Sequence, residues 1–81
     1  MGGKMEIKVL GTGCANCRRV YANAKKAVEE LGVDVELEKV EDIDTIISFG
    51  VFMTPAVVIN GKIKSSGRIP STEELKKWLQ E

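Results

Sequence analysis

Gly11-Thr12-Gly13-Cys14-Ala15-Asn16-Cys17 is the stretch on which the rest of the chain turns. It lies between a short alternating run and a long segment with helical periodicity, so it is read as the end of a first strand and the start of a helix. Residues three apart on a helix share one side of a turn, which lets the two thiols close on each other. Helix N-termini carry unpaired N–H donors and the positive end of the macrodipole. Both favour the thiolate, the reactive form of cysteine. The apolar stripe that follows runs through Cys17, Val20, Tyr21, Ala24, Ala27, Val28 and Leu31, with the 3, 4 spacing of a core-facing helix. Cys17 is on that stripe and Cys14 precedes it. Cys14 is therefore expected to be the exposed, attacking sulfur and Cys17 the shielded, resolving one.

Upstream, Met5 to Leu10 sets Ile7 and Val9 against Glu6 and Lys8, the alternation of a strand. A central strand covered on both faces should be more uniformly apolar, so Lys8 is expected either to snorkel to the surface or to lie close enough to the thiols to influence them. Residues 1–4 are polar and glycine-rich and read as a frayed start. Gly2 opens a myristoylation pattern, but Glu6 stands where Ser or Thr is needed.

Downstream, the helix is predicted from about Ala15 to Leu31, stopping at Gly32, the residue type favoured just past a helix end. Arg18 and Arg19 in its first turns oppose the dipole; they read either as a solvated basic face or as support for the Cys14 thiolate or an acidic partner. Val33, Val35 and Leu37 alternate with Asp34, Glu36 and Glu38, a second strand whose acidic face suits a sheet edge. Glu41 or Asp42 can cap a short helix bearing Ile43, Ile46 and Ile47 that ends near Gly50. A strand, a helix and another strand in this order make a right-handed parallel unit the default. Val51 to Pro55 leads into Ala56-Val57-Val58-Ile59, an unbroken apolar run and hence a buried strand. Asn60-Gly61 supplies the positive-φ pair of a type I′ turn, returning the chain through Lys62-Ile63-Lys64. Ser71-Thr72-Glu73-Glu74 is a capping box, and Leu75, Trp78 and Leu79 share one face of the last helix, with Trp78 read as a core anchor. The order is β-α-β-α-β-β-α: an α/β fold, a four-stranded mixed sheet with three helices, in a single domain spanning residues 1–81.

At 81 residues one core of this size supplies about 3–5 kcal/mol. A Cys14–Cys17 bridge adds little to that, because in the chain-entropy model a four-residue loop is worth roughly 2 kcal/mol against about 3 for fifteen residues. It would tie no distant segments together, so a purely structural disulfide is a poor explanation of the pair. Twelve basic and twelve acidic residues cancel, giving no electrostatic case for nucleic acid or an anionic membrane. No stretch approaches the ~20 apolar residues of a membrane-spanning helix, and no signal-peptide core opens the chain. The expected location is cytoplasmic, where a CxxC is more often catalytic or metal-binding than structural.

With the cysteines after the first strand, Thr54-Pro55 before the third and Asn60-Gly61 between the last two, the chain resembles the thioredoxin-like fold. More narrowly, Gly11 to Cys17, Met53-Thr54-Pro55-Ala56, Val58-Ile59-Asn60-Gly61-Lys62 and Gly67-Arg68-Ile69-Pro70-Ser71 resemble the small thioredoxin-like proteins called redox-active disulfide protein 2. The likeness covers essentially everything after the first few residues. It implies that Pro55 is cis and packs beside the CxxC, although only about 5–6% of X–Pro bonds in folded proteins are cis. It also implies that the backbone of Thr54 offers its N–H and C=O to an extended substrate, a form of strand addition. Ala15-Asn16 stands where typical thioredoxins have Gly-Pro, and Ser65-Ser66-Gly67 lacks the glycine pair and acidic cap with which glutaredoxins hold glutathione. No Asp lies in the first strand, where thioredoxins carry a buried acid, which leaves open how Cys17 loses its proton.

The expected function is a small thiol-disulfide oxidoreductase. Its Cys14–Cys17 disulfide carries the electrons, so no organic cofactor or metal is needed. Its expected partners are a disulfide-containing protein or small molecule and a reductase or other electron donor, with the chain itself a monomer. The alternative from another class is a carrier of Cu(I) or another soft metal on the two thiolates, but small copper domains follow a β-α-β-β-α-β order that leaves Thr54-Pro55 and the terminal helix unexplained. Structural zinc needs four Cys or His ligands, and the chain has two Cys and no His. A redox-switched binding module is a further alternative. Gly11-Thr12-Gly13 begins a dinucleotide fingerprint, but its third glycine position is Asn16.

Overall fold

The computed structural model describes residues 5–13 and 15–80. Cys14, to which the attacking role is assigned, lies outside the described residues, as do residues 1–4, read above as a frayed start, and Glu81.

Period-2 and period-3.6 patterning produce seven described elements: β1 (Met5–Leu10), α1 (Ala15–Leu31), β2 (Val35–Val40), α2 (Ile43–Ser48), β3 (Ala56–Ile59), β4 (Lys62–Ser66) and α3 (Thr72–Leu79). The sheet order is β2-β1-β3-β4. β1 pairs parallel with β2, and the β1–β3 and β3–β4 pairs are antiparallel. The mixed four-stranded sheet with three helices is thus the one the sequence leads one to expect. The parallel default holds across α1 but not across α2, because β3 enters antiparallel on the far side of β1. All four β3 residues are buried, and a strand with two apolar faces needs the central slot, where both are covered.

Two boundaries differ from the sequence reading, and the choice it left open at the α2 cap is decided. β2 starts at Val35 rather than Val33, because Gly32 (φ +63°) leaves α1 with its N–H on the Val28 carbonyl at 3.0 Å, and the next residues complete that exit. α2 is capped by Asp42, whose carboxylate accepts from the Thr45 N–H at 3.0 Å and the Thr45 hydroxyl at 2.7 Å. β4 runs on to Ser66 through a bulge: Val57 faces Ser65 while Val58 faces Ile63, leaving Lys64 as the extra residue. The hairpin turn itself has the expected positive φ at Asn60 and Gly61.

The pleat of β1 divides the interior. Ile7 and Val9 point to α1 and α3, into a core with Val20, Ala24, Ala27, Val57, Ile59, Leu75 and Leu79. Leu10 points to α2, joining Val40, Ile46, Val51, Ala56 and Val58. Six residues of α2 cover only one end of that second face. Lys8 occupies the rest, paired with Glu6 at 3.3 Å and with Glu38, its register partner on β2, at 3.5 Å. The hydrogen bond to Glu6 foremost, with help from the Glu38 charge, holds the Lys8 ammonium above its ordinary range. Lys8 snorkels on the α2 face, whereas the β1 residue beside Cys17 is Val9, on the other.

α3 begins with the anticipated capping box between Ser71 and Glu74. Arg68 grips the same Glu74 carboxylate at 3.0 and 3.1 Å and stands 5.7 Å over the Trp78 ring. Trp78 packs half-buried against the core, its outer face covered by that guanidinium.

Candidate active site

The site is assembled on Gly11, the residue that follows β1. Its N–H continues the β1–β2 ladder onto the Val40 carbonyl at 2.9 Å. A Cβ at this position would collide with Cys17 Sγ, lie 3.0 Å from Cys17 Cβ and come within 3.9 Å of Thr54 Cβ. The absence of a side chain at Gly11 is what lets the sulfur settle against the end of the strand. Cys17 is the third residue of α1 and the first buried member of its stripe, 5% exposed. Cys17 and Thr54 therefore converge on one residue to which the sequence reading assigned no contact with either.

The Thr54–Pro55 peptide is cis, with Pro55 buried and Thr54 exposed. The Pro55 carbonyl accepts from the Gly67 N–H at 2.9 Å. Met53 lies against Gly67 so closely that a Cβ there would be 3.1 Å from Met53 Cε, and the φ of +75° suits glycine as well. Residues 53–55 are in this way clamped to the end of β4, with Thr54 beside Gly11.

Around Cys17 is a cavity of about 10 Å³ lined by Val9, Gly11, Gly13, Cys17, Arg18, Lys39 and Glu41. Of the two arginines singled out from the sequence, Arg18 lines this cavity and Arg19 is an exposed neighbour. Lys39 holds its ammonium 5.0 Å over the Tyr21 ring. Glu41 Oε2 is 3.2 Å from where a Cβ of Gly13 would stand, and Gly13 has φ +88°. Lys39 and Glu41 were missed because parallel pairing, not sequence proximity, brings the end of β2 beside the end of β1. The legible signal is parity. Lys39 falls on the same pleat face as Val35 and Leu37, a charge where an apolar residue is due.

On the other side of Thr54 a groove of about 250 Å³ is lined by Thr12, Ile43, Ile46, Ile47, Val51, Phe52 and Thr54. Phe52 is 84% exposed, Met53 64%, Ile43 59% and Ile47 50%. The sequence reading gave α2 three isoleucines, of which only Ile46 enters the core. A helix of six residues turns less than twice and cannot bury three large side chains, so the excess is left at the groove.

Among the described residues no group of three or more His, Cys, Asp or Glu could hold a metal ion, and no helix is long and apolar enough to cross a membrane.

A family model described as a thioredoxin domain matches residues 5–80. The chain is 45% identical over 75 residues to a thioredoxin of Methanothermobacter thermautotrophicus, covering 93% of this chain and 97% of that one. It is 49% identical over 74 residues to a thioredoxin of Methanocaldococcus jannaschii, covering 91% and 85%. Among solved structures, a thioredoxin-2 described as a component of malaria parasite protein secretion machinery superposes with a TM-score of 0.74 at 18% identity, covering 99% of this chain and 84% of that one. A second structure, of a malarial protein, gives 0.75 at 15% identity, covering 96% of each chain. At such identities these two speak for the fold alone.

Proposed function

We propose a dithiol mechanism for this chain, which belongs to the thioredoxin family and is a protein disulfide oxidoreductase. The Cys14 thiolate attacks a substrate disulfide. One substrate sulfur leaves as a thiolate and takes up a proton, and the other remains joined to Cys14. Cys17, once deprotonated, attacks Cys14 Sγ, releasing the second substrate sulfur and forming the Cys14–Cys17 bond. Two electrons have passed from the cysteine pair to the substrate. A reductase or other dithiol donor returns them by the same chemistry run in reverse. No organic cofactor or metal enters the cycle, and the chain acts as a monomeric single domain in a reducing compartment.

The observation that supports this reading is the convergence of Cys17 and Thr54 on Gly11, with the Thr54–Pro55 bond cis. A substrate strand laid along Thr54 would run past the loop between β1 and α1 that carries the cysteine pair. The apolar groove that begins at Thr54 suits side chains flanking the substrate cysteine, which favours polypeptide disulfides. The test is catalysed reduction of a protein disulfide by dithiothreitol. Cys14→Ser should remove the catalysis, and Cys17→Ser should accumulate a mixed disulfide on Cys14. Wild-type turnover by Cys14→Ser would overturn the assignment.

A further inference from the structure

We propose that Glu41 is the proton acceptor for Cys17, acting through a single water in the cavity they share and so governing how fast the mixed disulfide is resolved. The proposal rests on the dithiol reading above.

Cys17, 5% exposed, must become a thiolate to attack. The described charged groups at its cavity come from three places: Arg18 from α1, Lys39 from β2, and Glu41 just beyond β2. A guanidinium has no acceptor capacity and an ammonium has none until it gives up its own proton. The carboxylate is the acceptor in the set. Asp42, next in the chain, is already engaged by the backbone and hydroxyl of Thr45, and Tyr21 serves as the platform under Lys39.

The two glycines of the loop make the approach possible. Cys17 Sγ occupies the place of a Gly11 side chain, and Glu41 Oε2 comes within 3.2 Å of the place of a Gly13 side chain. Both positions open on the same cavity, whose 10 Å³ is about the room that one water needs. Glu41 is exposed on its outer side, so a proton taken from Cys17 can pass on to bulk solvent. In the step itself, the Cys17 S–H proton moves through the water to Glu41. Cys17 Sγ bonds to Cys14 Sγ, the Cys14–substrate S–S bond breaks, and the departing substrate thiolate is protonated from solvent. Cys14 and Cys17 end oxidised and the substrate sulfur reduced.

The test follows resolution of the mixed disulfide between Cys14 and β-mercaptoethanol, prepared at low pH, started by a pH jump and quenched with acid. With Glu41 accepting the proton, the wild-type rate should be nearly flat across neutral pH. Glu41→Gln should be about 10²-fold slower at pH 7, its rate falling tenfold for each unit of pH lost, because only preformed thiolate reacts. The two proteins should converge in alkali, where Cys17 ionises unaided, and Glu41→Asp should restore part of the flat profile. Wild-type rate and slope in Glu41→Gln would overturn the proposal, and so would equal slowing at every pH, the mark of a displaced loop. A wild-type protein that forms no Cys14 mixed disulfide would instead sink the dithiol reading beneath it.

Discussion

The face of the sheet under α1 and α3 buries Ile7, Val9, Val57 and Ile59 against Val20, Ala24, Ala27, Leu75 and Leu79. The face under α2 buries six residues, leaves Ile43 and Ile47 half exposed and carries the Glu6–Lys8–Glu38 cluster where the helix does not reach. One face is a core and the other is partly a surface. The difference suggests a division of labour across a single sheet: stability is concentrated under the long helices, and apolar area left over by the short one stays open in the groove that begins at Thr54. Cys17 belongs to the first face and the groove to the second. They meet where β1 ends, at Gly11 and Thr54.

The sharpest way to break this comparison is to excavate each face in turn. Leu75→Ala, at a fully buried position, should cost about 4 kcal/mol in urea unfolding, and Ile46→Ala about 2, within the range for such truncations. Equal losses would mean that the thin face is no weaker than the thick one. At the junction, Gly11→Ala drives a Cβ into Cys17 Sγ and should cost about 1–3 kcal/mol, with resolution of mixed disulfides slowed as the sulfur is displaced. Removing the α3 cap with Ser71→Ala should cost about 1 kcal/mol, read as a lowered Tm.

Phe52→Ser should leave stability within about 0.5 kcal/mol, as expected of a side chain 84% exposed. It should lower kcat/KM for a protein disulfide about tenfold, the order of one lost apolar contact. An unchanged kcat/KM would detach the groove from substrate binding.

The smallest effects are electrostatic, and their signs oppose each other. The Arg68 hydrogen bond foremost, then the Ser71 N–H, hold Glu74 below its ordinary 4.5. Its contribution is therefore complete above that pH and lost as the pH falls through the lower folded value. Lys8 is raised above 10.5, chiefly by the hydrogen bond to Glu6, so its contribution is complete below 10.5 and lost as the pH rises through the folded value. Tm measured against pH should show Glu74→Gln flattening the acid limb and Lys8→Met the alkaline one. Both pairs are exposed, so the changes should be small and weakened by salt.

Much of this was legible without coordinates, for local reasons. The bounds of β1 and α1, the I′ turn at Asn60-Gly61, the capping box at Ser71 and the buried β3 depend on a few consecutive side chains and their periodicity, and each is found as read. Cys17 as a shielded thiol followed from its place on the apolar stripe. Lys8 was recognised as anomalous but could be assigned to a face only once α2 proved too short to cover it.

By itself the sequence determined the element order and most of the caps and turns, since hydrophobic period and backbone preference act over neighbouring residues. Tertiary structure decided which residues surround Cys17. Glu41 against Gly13, Lys39 over Tyr21 and Thr54 beside Gly11 are contacts between segments far apart in the chain, made by strand order and register. A steric void at a glycine, or a charge brought round by the neighbouring strand, leaves no periodicity to read.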